Sequence, residues 1–250
     1  MNWPRNTVAT YPWLENMGIY RQLADSYVQH GWIERIGRGA FKRAGENIGW
    51  QGAVYALQTH MKMSVHPAGK TALQLKGLSH YIPGSMKQTK ILLLGSPGEK
   101  LPCWFRNSDW EAKIIYKTTK LFPGAPQQAL DSRQTGDFSI QISSAEQAVM
   151  ELCYFVPLHE SFEELDEIMS ALSTLRPAVV QKLLETCGSV KVTRLFLYLA
   201  EKHNHAWYNH LSTGSLNFGR GKRVLAERGS YNDKYKIVVP ESRERFHSEE

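Results

Sequence analysis

Cysteine is scarce. The 250 residues hold three, Cys103, Cys153 and Cys187, far apart, odd in number and never in a C-x-x-C pair. That spacing argues against a disulfide framework and against a cysteine zinc site, and it leads us to expect buried free thiols in a reducing cytosol. Long apolar runs are missing as well. The longest, Ile91–Leu94 and Leu195–Ala200, fall far short of the ~20 residues that cross a bilayer. The opening Met1-Asn2-Trp3-Pro4-Arg5-Asn6 has no apolar core and no small-residue cleavage site. It reads against export and for a cytoplasmic location. No internal repeat and no low-complexity tract appears, which removes solenoids and fibrous classes.

What is present is ordinary for a globular chain: 42% hydrophobic and 22% charged residues, in a length that suits one large domain or two unequal ones. The formal net charge of +6 is unevenly spread. Residues 1–60 carry 6 Lys/Arg and 4 Asp/Glu (net +2), residues 61–125 carry 10 and 3 (net +7), and residues 126–190 carry 3 and 10 (net −7). Residues 191–250 return to net +4. A basic segment beside an acidic one lets one face attract phosphate while another does not.

Period and punctuation give a coarse map. Thr10 is placed to cap a short helix through Asn16, ended by Gly18. Tyr20–His30 reads as a second helix, with Leu23/Tyr27 and Ala24/Val28 as its apolar stripe and Gly31 as its stop. Trp32–Ile36 and Ala40–Ala44 read as strands joined through Gly37-Arg38-Gly39. A boundary follows near Gly45–Gly49. Beyond it, helices are expected at Trp50–Met61 and Gly69–Leu78 (opened by Pro67), and strands at Lys90–Leu94, Ala112–Thr118 and Phe138–Ile142. A helix capped by Ser143 or Ser144 runs to Phe155, where Pro157 breaks it; further helices fall at about 161–173, 177–187 and 191–203. A last hairpin is expected at 223–226 and 234–239, turning around Gly229-Ser230-Tyr231-Asn232. The tail after Pro240 is charged and expected to fray.

Short helix, turn, helix and two-strand wing form the order of a winged helix-turn-helix. In that design the second helix enters the major groove and its first residues meet base edges. Tyr20, Arg21, Gln22 and Ser26 stand at or near that helix start, with Asp25 and Gln29 on the same polar face. Arg and Gln suit bidentate contact with guanine and adenine edges. Arg35, Arg38, Lys42 and Arg43 on the hairpin, against a single Glu34, fit backbone phosphate or the minor groove. An amphipathic helix with a solvated face and a basic surface turn fits the local features equally well.

A longer run breaks that tie. Trp13-Leu14-Glu15, Gly18-Ile19, Arg21-Gln22-Leu23 and the continuous segment Gly31-Trp32-Ile33-Glu34-Arg35-Ile36-Gly37-Arg38-Gly39-Ala40-Phe41 resemble the N-terminal domain of AbiEi-type antitoxins. These are transcriptional regulators of bacterial abortive-infection (type IV) toxin–antitoxin operons. Trp50-Gln51-Gly52-Ala53-Val54-Tyr55-Ala56-Leu57-Gln58, Gly69-Lys70-Thr71-Ala72-Leu73 and Leu101-Pro102-Cys103-Trp104-Phe105 are similar to the family's second domain. So are Ser189-Val190-Lys191-Val192, Arg194-Leu195-Phe196-Leu197 and Tyr235-Lys236-Ile237-Val238-Val239-Pro240. The matches run in order over nearly the whole chain. The family has a first helix ahead of the segment equivalent to Trp3–Val8, and this chain begins almost at that point, so its first domain is expected to lack that helix.

Four other segments carry residues with chemical potential. Gly69-Lys70-Thr71 resembles the end of a phosphate-binding loop, but Ser64 stands where the full pattern needs glycine, and Pro67 interrupts it. Glu111-Ala112-Lys113, with Asp109 nearby, resembles half of a metal-dependent nuclease site, which needs a separate upstream acid to hold the metal. His203-Asn204-His205 and His210 lack a carboxylate or thiol to complete a metal set, and histidines at a helix C-terminus are favoured by its dipole. Glu163-Glu164-Leu165-Asp166-Glu167 reads as an acidic helix start, with a basic partner as the alternative.

The expected architecture is therefore α+β: a winged helix-turn-helix at 1–45, a larger mixed α+β domain at 50–240, and a tail at 241–250. The resemblance implies a DNA-binding repressor of its own operon, with double-stranded operator DNA as one partner. It also implies an antitoxin that counters a cognate nucleotidyltransferase-type toxin. No enzymatic activity, cofactor or metal is expected. An RNA-binding module using the basic 61–125 segment, and a metal-dependent nuclease through Glu111 and Lys113, are the alternatives.

Overall fold

A computed structural model describes residues 3–78, 89–226 and 228–240. The chain is mixed α+β and separates into two compact units. The first comprises Met1–Lys120 with Leu130–Ser144, and the second Leu121–Ala129 with Ala145–Glu250. The position near Gly45–Gly49 lies inside the first unit, and the charged tail falls outside the described residues.

Unit 1 opens with β1 (Ala9–Thr10), α1 (Tyr11–Asn16), α2 (Arg21–Gln29) and the hairpin β2 (Ile33–Gly37) and β3 (Ala40–Arg43). Period and punctuation locate both helices and the hairpin; β1 escapes them because two residues hold no period. It adds to the hairpin in the order β1-β3-β2, with Ala9 opposite Phe41. Thr10 precedes α1 as expected, but its hydroxyl makes no capping bond and is buried without a partner. Pro12 in the first turn suits α1, because its missing N–H has no intrahelical acceptor there. Trp3, Ala9, Leu14, Ile19, Ala24, Ile33 and Phe41 form one core, with Leu23, Tyr27 and Val28 packed against it.

The rest of unit 1 contains α3 (Trp50–Thr59), β4 (His66–Pro67), α4 (Gly69–Leu75), β5 (Lys90–Gly95), α5 (Cys103–Asn107), β6 (Lys113–Thr118), β7 (Leu130–Thr135) and β8 (Phe138–Ser143). Pro67 does not open a helix; it lies in β4 and pairs with Leu93 of the antiparallel β5, while β5 and β6 run parallel. β7 and β8 form an antiparallel hairpin, and Phe138, Ile140 and Ile142 alternate into the core from β8. β7 escapes a period reading because Leu130-Asp131-Ser132-Arg133-Gln134-Thr135 buries nothing fully. The core joins Val8, Ala40 and Ile48 to Trp50, Val54, Leu57, Leu93, Trp104, Phe105 and Trp110. At Gly52 of α3 a Cβ would stand 1.9 Å from the Asn6 carbonyl oxygen, so only glycine admits that approach.

Unit 2 is mostly helical: α6 (Ala145–Phe155), α7 (Phe162–Ala171), α8 (Pro177–Thr186) and α9 (Val190–Lys202). Ser161 and Ser189 cap α7 and α9 by accepting from Glu164 N (3.0 Å) and Val192 N (3.4 Å). Its last sheet corrects the expected hairpin. β9 (Arg223–Val224) runs parallel to β11 (Ile237–Val239), and the antiparallel partner of β11 is β10 (Ser230–Asn232), inside the supposed turn. The buried Arg194 guanidinium organises this corner, donating to the carbonyls of Phe218 (2.7 Å), Gly221 (2.6 Å) and Lys236 (3.2 Å). One thiol expectation also needs correction: all three cysteines are free, but Cys103 is exposed on α5 and only Cys153 is fully buried.

Candidate nucleic-acid interface

Gly18, at φ +82°, turns the chain between α1 and α2, and the Ile19 amide donates back to Leu14 O at 2.9 Å. The turn leaves α2 with one buried side and one open side. Ala24 is buried, Leu23, Tyr27 and Val28 are half-buried, and Arg21, Gln22 and Gln29 are exposed. Tyr20, at the helix entrance, is 58% exposed. Arg21 lies over the Tyr11 ring, 5.5 Å from its centroid, which holds the guanidinium near the start of α2; among the described residues no acid pairs with it. Ser26 is engaged with His30 Nδ1 through both its hydroxyl (3.4 Å) and its carbonyl (2.7 Å).

The hairpin divides its cations. Arg35 pairs with Asp25 of α2 and lies over Phe41 at 5.3 Å. Lys42 bonds Glu34 (3.0 Å) and the Glu46 carbonyl (2.8 Å). Arg43 pairs with Glu46 (3.4 Å), donates to Trp3 O and covers the Trp3 ring at 4.9 Å. Glu34 closes the set by accepting from the Gly45 amide at 2.9 Å. That bond, with the one from Lys42, holds its carboxyl below the ordinary carboxylate range. Arg38 differs: it is exposed at the turn, and among the described residues it has no hydrogen-bond or ion-pair partner. The structure therefore brings Arg21, Gln22 and Ser26 onto one helix with Tyr20 at its entrance, leaves Arg38 open on the hairpin turn, and commits Arg35, Lys42 and Arg43 to neighbours.

Sequence reasoning missed Trp32. It is 62% exposed beside Tyr27 (ring centroids 5.2 Å) and His30 (5.8 Å). Strand alternation carried the signal, since a buried Ile33 puts its neighbour outward. A second missed pair is Trp13 of α1 stacked on His60 after α3, at 4.6 Å and 14°. Both His60 ring nitrogens are buried without a partner, and burial first, Lys62 second, holds its pKa down at about 4.

The other patterns have local structural roles. The Thr71 hydroxyl accepts from Leu92 N at 2.9 Å, tying α4 to β5. Glu111 sits in a bend at φ +54°, where its amide donates to Asp109, and Lys113 begins β6. His203 bonds Asp166 (2.8 Å), while His205 bonds Met169 O (2.8 Å) and stacks on Trp207. Among the described residues, no group of three or more His, Cys, Asp and Glu side chains is placed to hold a metal ion, and no helix is long and apolar enough to cross a membrane.

Comparison with known proteins places the geometry in a family. Residues 1–83 match the family described as transcriptional regulator, AbiEi antitoxin N-terminal domain. Residues 88–240 match the family described as transcriptional regulator, AbiEi antitoxin, type IV TA system. Among solved structures, the RV2827C protein from Mycobacterium tuberculosis is similar in fold, with a TM-score of 0.54 at 16% identity over 93% of this chain and 86% of that one. No curated protein matches the chain. The two family matches between them span the described fold, and the chain belongs to the AbiEi antitoxin family of transcriptional regulators.

Proposed function

We propose that the chain is a DNA-binding repressor of its own operon. In this reading residues 1–45 act as a winged helix-turn-helix, and residues 50–240 counter a cognate nucleotidyltransferase-type toxin in the cytoplasm. The protein acts by binding rather than by catalysis. The observation that carries the reading is the open side of α2: Arg21 and Gln22 stand exposed at its start, and Arg38, exposed on the adjoining hairpin, has no partner among the described residues. Family membership supports the regulator and antitoxin roles. In the major groove, Arg21 suits a guanine edge and Gln22 an adenine edge, while Tyr20 and Ser26 reach sugar or phosphate. Arg38 contacts phosphate or enters the minor groove; Arg35, Lys42 and Arg43 chiefly hold the hairpin that presents it.

Footprinting on the DNA just upstream of the gene tests this, followed by titration of variants. Arg21→Ala or Gln22→Ala is expected to cost about 1–3 kcal/mol on the protected site and less on random DNA. Equal losses on both DNAs would remove the two side chains from base reading. Rescue of cells expressing the toxin encoded beside the gene tests the second role, and an unprotected upstream region would end the autoregulation reading.

A further inference from the structure

Unit 1 contains a cleft of about 680 Å³. Its buried lining is apolar, from Leu101, Phe105 and Trp110, with half-buried Ile114 beside them. Trp110 is fixed, because its indole N–H donates to Phe105 O at 2.7 Å and the two rings lie 5.2 Å apart. The exposed lining includes Lys100 and Arg106. The acids there are already engaged. Glu99 accepts from Ser64 N (2.8 Å), Ser64 Oγ (2.7 Å) and Ser96 N (3.0 Å), and Asp109 accepts from Glu111 N (2.9 Å). Among the described residues Lys100 has no partner and Arg106 has only the Cys103 sulfur, at 3.3 Å.

We propose that this cleft binds a small flat anion, an aromatic ring bearing a phosphate or carboxylate, and that α5 relays its occupancy to the hairpin turn. The ring lies against the preformed apolar lining, and the anion meets the guanidinium fork of Arg106 and the ammonium of Lys100. The relay follows from how α5 is held. Phe105 and Arg106 line the cleft, while the preceding Trp104 abuts Gly37 of β2 so closely that a Cβ there would lie 2.7 Å from Trp104 Cβ. The β2–β3 register shifts between Arg35 and Gly37, and the next residue is Arg38. A close-packed contact without slack transmits a shift rather than absorbing it. The site itself is independent of the DNA reading; only the effect on operator affinity rests on it.

The test uses the full chain with two probes, phenyl phosphate and salicylate, which separate phosphate from carboxylate recognition. Titrations follow tryptophan fluorescence, heat, and the backbone amide signals of Gly37–Gly39. Saturable binding of at least one probe is expected at roughly millimolar dissociation constant or tighter. It should weaken about tenfold or more when Lys100→Ala and Arg106→Ala are combined. The Gly37–Gly39 amides should move on binding, and operator affinity should change about fivefold or more. Failure of both probes to saturate, or equal binding by the double variant, overturns the site. Binding that leaves Gly37–Gly39 unmoved overturns the relay. If the chain binds no operator at all, the proposed function fails, while the fluorescence, heat and amide readouts still decide this inference.

Discussion

Arg38 and Arg43 sit five positions apart on one hairpin and carry the same charge, yet their surroundings assign them different work. Among the described residues Arg38 has no hydrogen-bond or ion-pair partner to give up. Arg43 would have to leave Glu46, the Trp3 carbonyl and the Trp3 ring. Arg38→Ala should therefore leave the melting temperature unchanged and reduce the slope of log affinity against log salt by roughly one unit. Arg43→Ala should instead destabilise the fold by about 1–3 kcal/mol, as loss of a charged hydrogen bond does; chemical denaturation measures it. An unchanged salt slope in Arg38→Ala would take that residue off the DNA. His60 gives a residue-scale pH signature. Its folded pKa of about 4 lies below the unfolded value near 6.5, so the unfolded state binds the extra proton between the two. Its contribution is complete above about pH 6.5, is lost as pH falls toward about 4, and stays constant below that. His60→Phe, which keeps the stack on Trp13, should flatten this part of the stability profile between pH 7 and 4. A profile identical to that of the parent chain would assign the acid sensitivity elsewhere.

At the scale of elements, the hairpin depends on α5 as much as on its own turn. Gly37 has no positive φ; what demands glycine there is Trp104 pressed against it. Gly37→Ala would force the hairpin and α5 apart and should cost roughly 1–3 kcal/mol, as overpacking does. Gly18→Ala makes the contrasting case. Nothing lies within 4 Å of its added Cβ, but φ is +82°, so the cost comes from backbone strain alone, on the order of 1–2 kcal/mol. Thermal melts of both variants, with the backbone amide signals of α5 as a local probe, check the difference: only Gly37→Ala should move those signals.

For the molecule as a whole, the core decides what a truncation does. Val8, Ala40 and Ile48 share one buried cluster with Trp50, Leu57 and Trp104, and Trp13 stacks on His60. A fragment beginning at Trp50 should lose operator binding, since α2 is gone, and should melt well below the full chain because that cluster is opened. Circular dichroism melts and gel shifts on the same fragment measure both. A fragment as stable as the full chain would show that residues 50–240 hold a core of their own. Growth rescue by that fragment would assign antitoxin action to those residues; rescue by residues 1–48 alone would place it in the first segment.

The sequence alone determined whatever depends on near neighbours. Apolar spacing and glycine stops located α1, α2, the β2–β3 hairpin, α3 and the four helices of unit 2, and the order of short motifs carried the family. The exposed face of α2 was legible because a nine-residue helix with one apolar stripe leaves its other side in water. Tertiary structure decided what depends on partners distant in the chain. It paired β11 with β9 in parallel and with β10 in antiparallel, a choice among segments distant in the chain that turn residues alone do not fix, and Arg194 ties the carbonyls of Gly221 and Lys236 beside it. It also sorted the hairpin's like charges: Asp25, Glu34 and Glu46 reach Arg35, Lys42 and Arg43 through folded geometry and leave Arg38 open, a distinction that residue type and spacing do not contain.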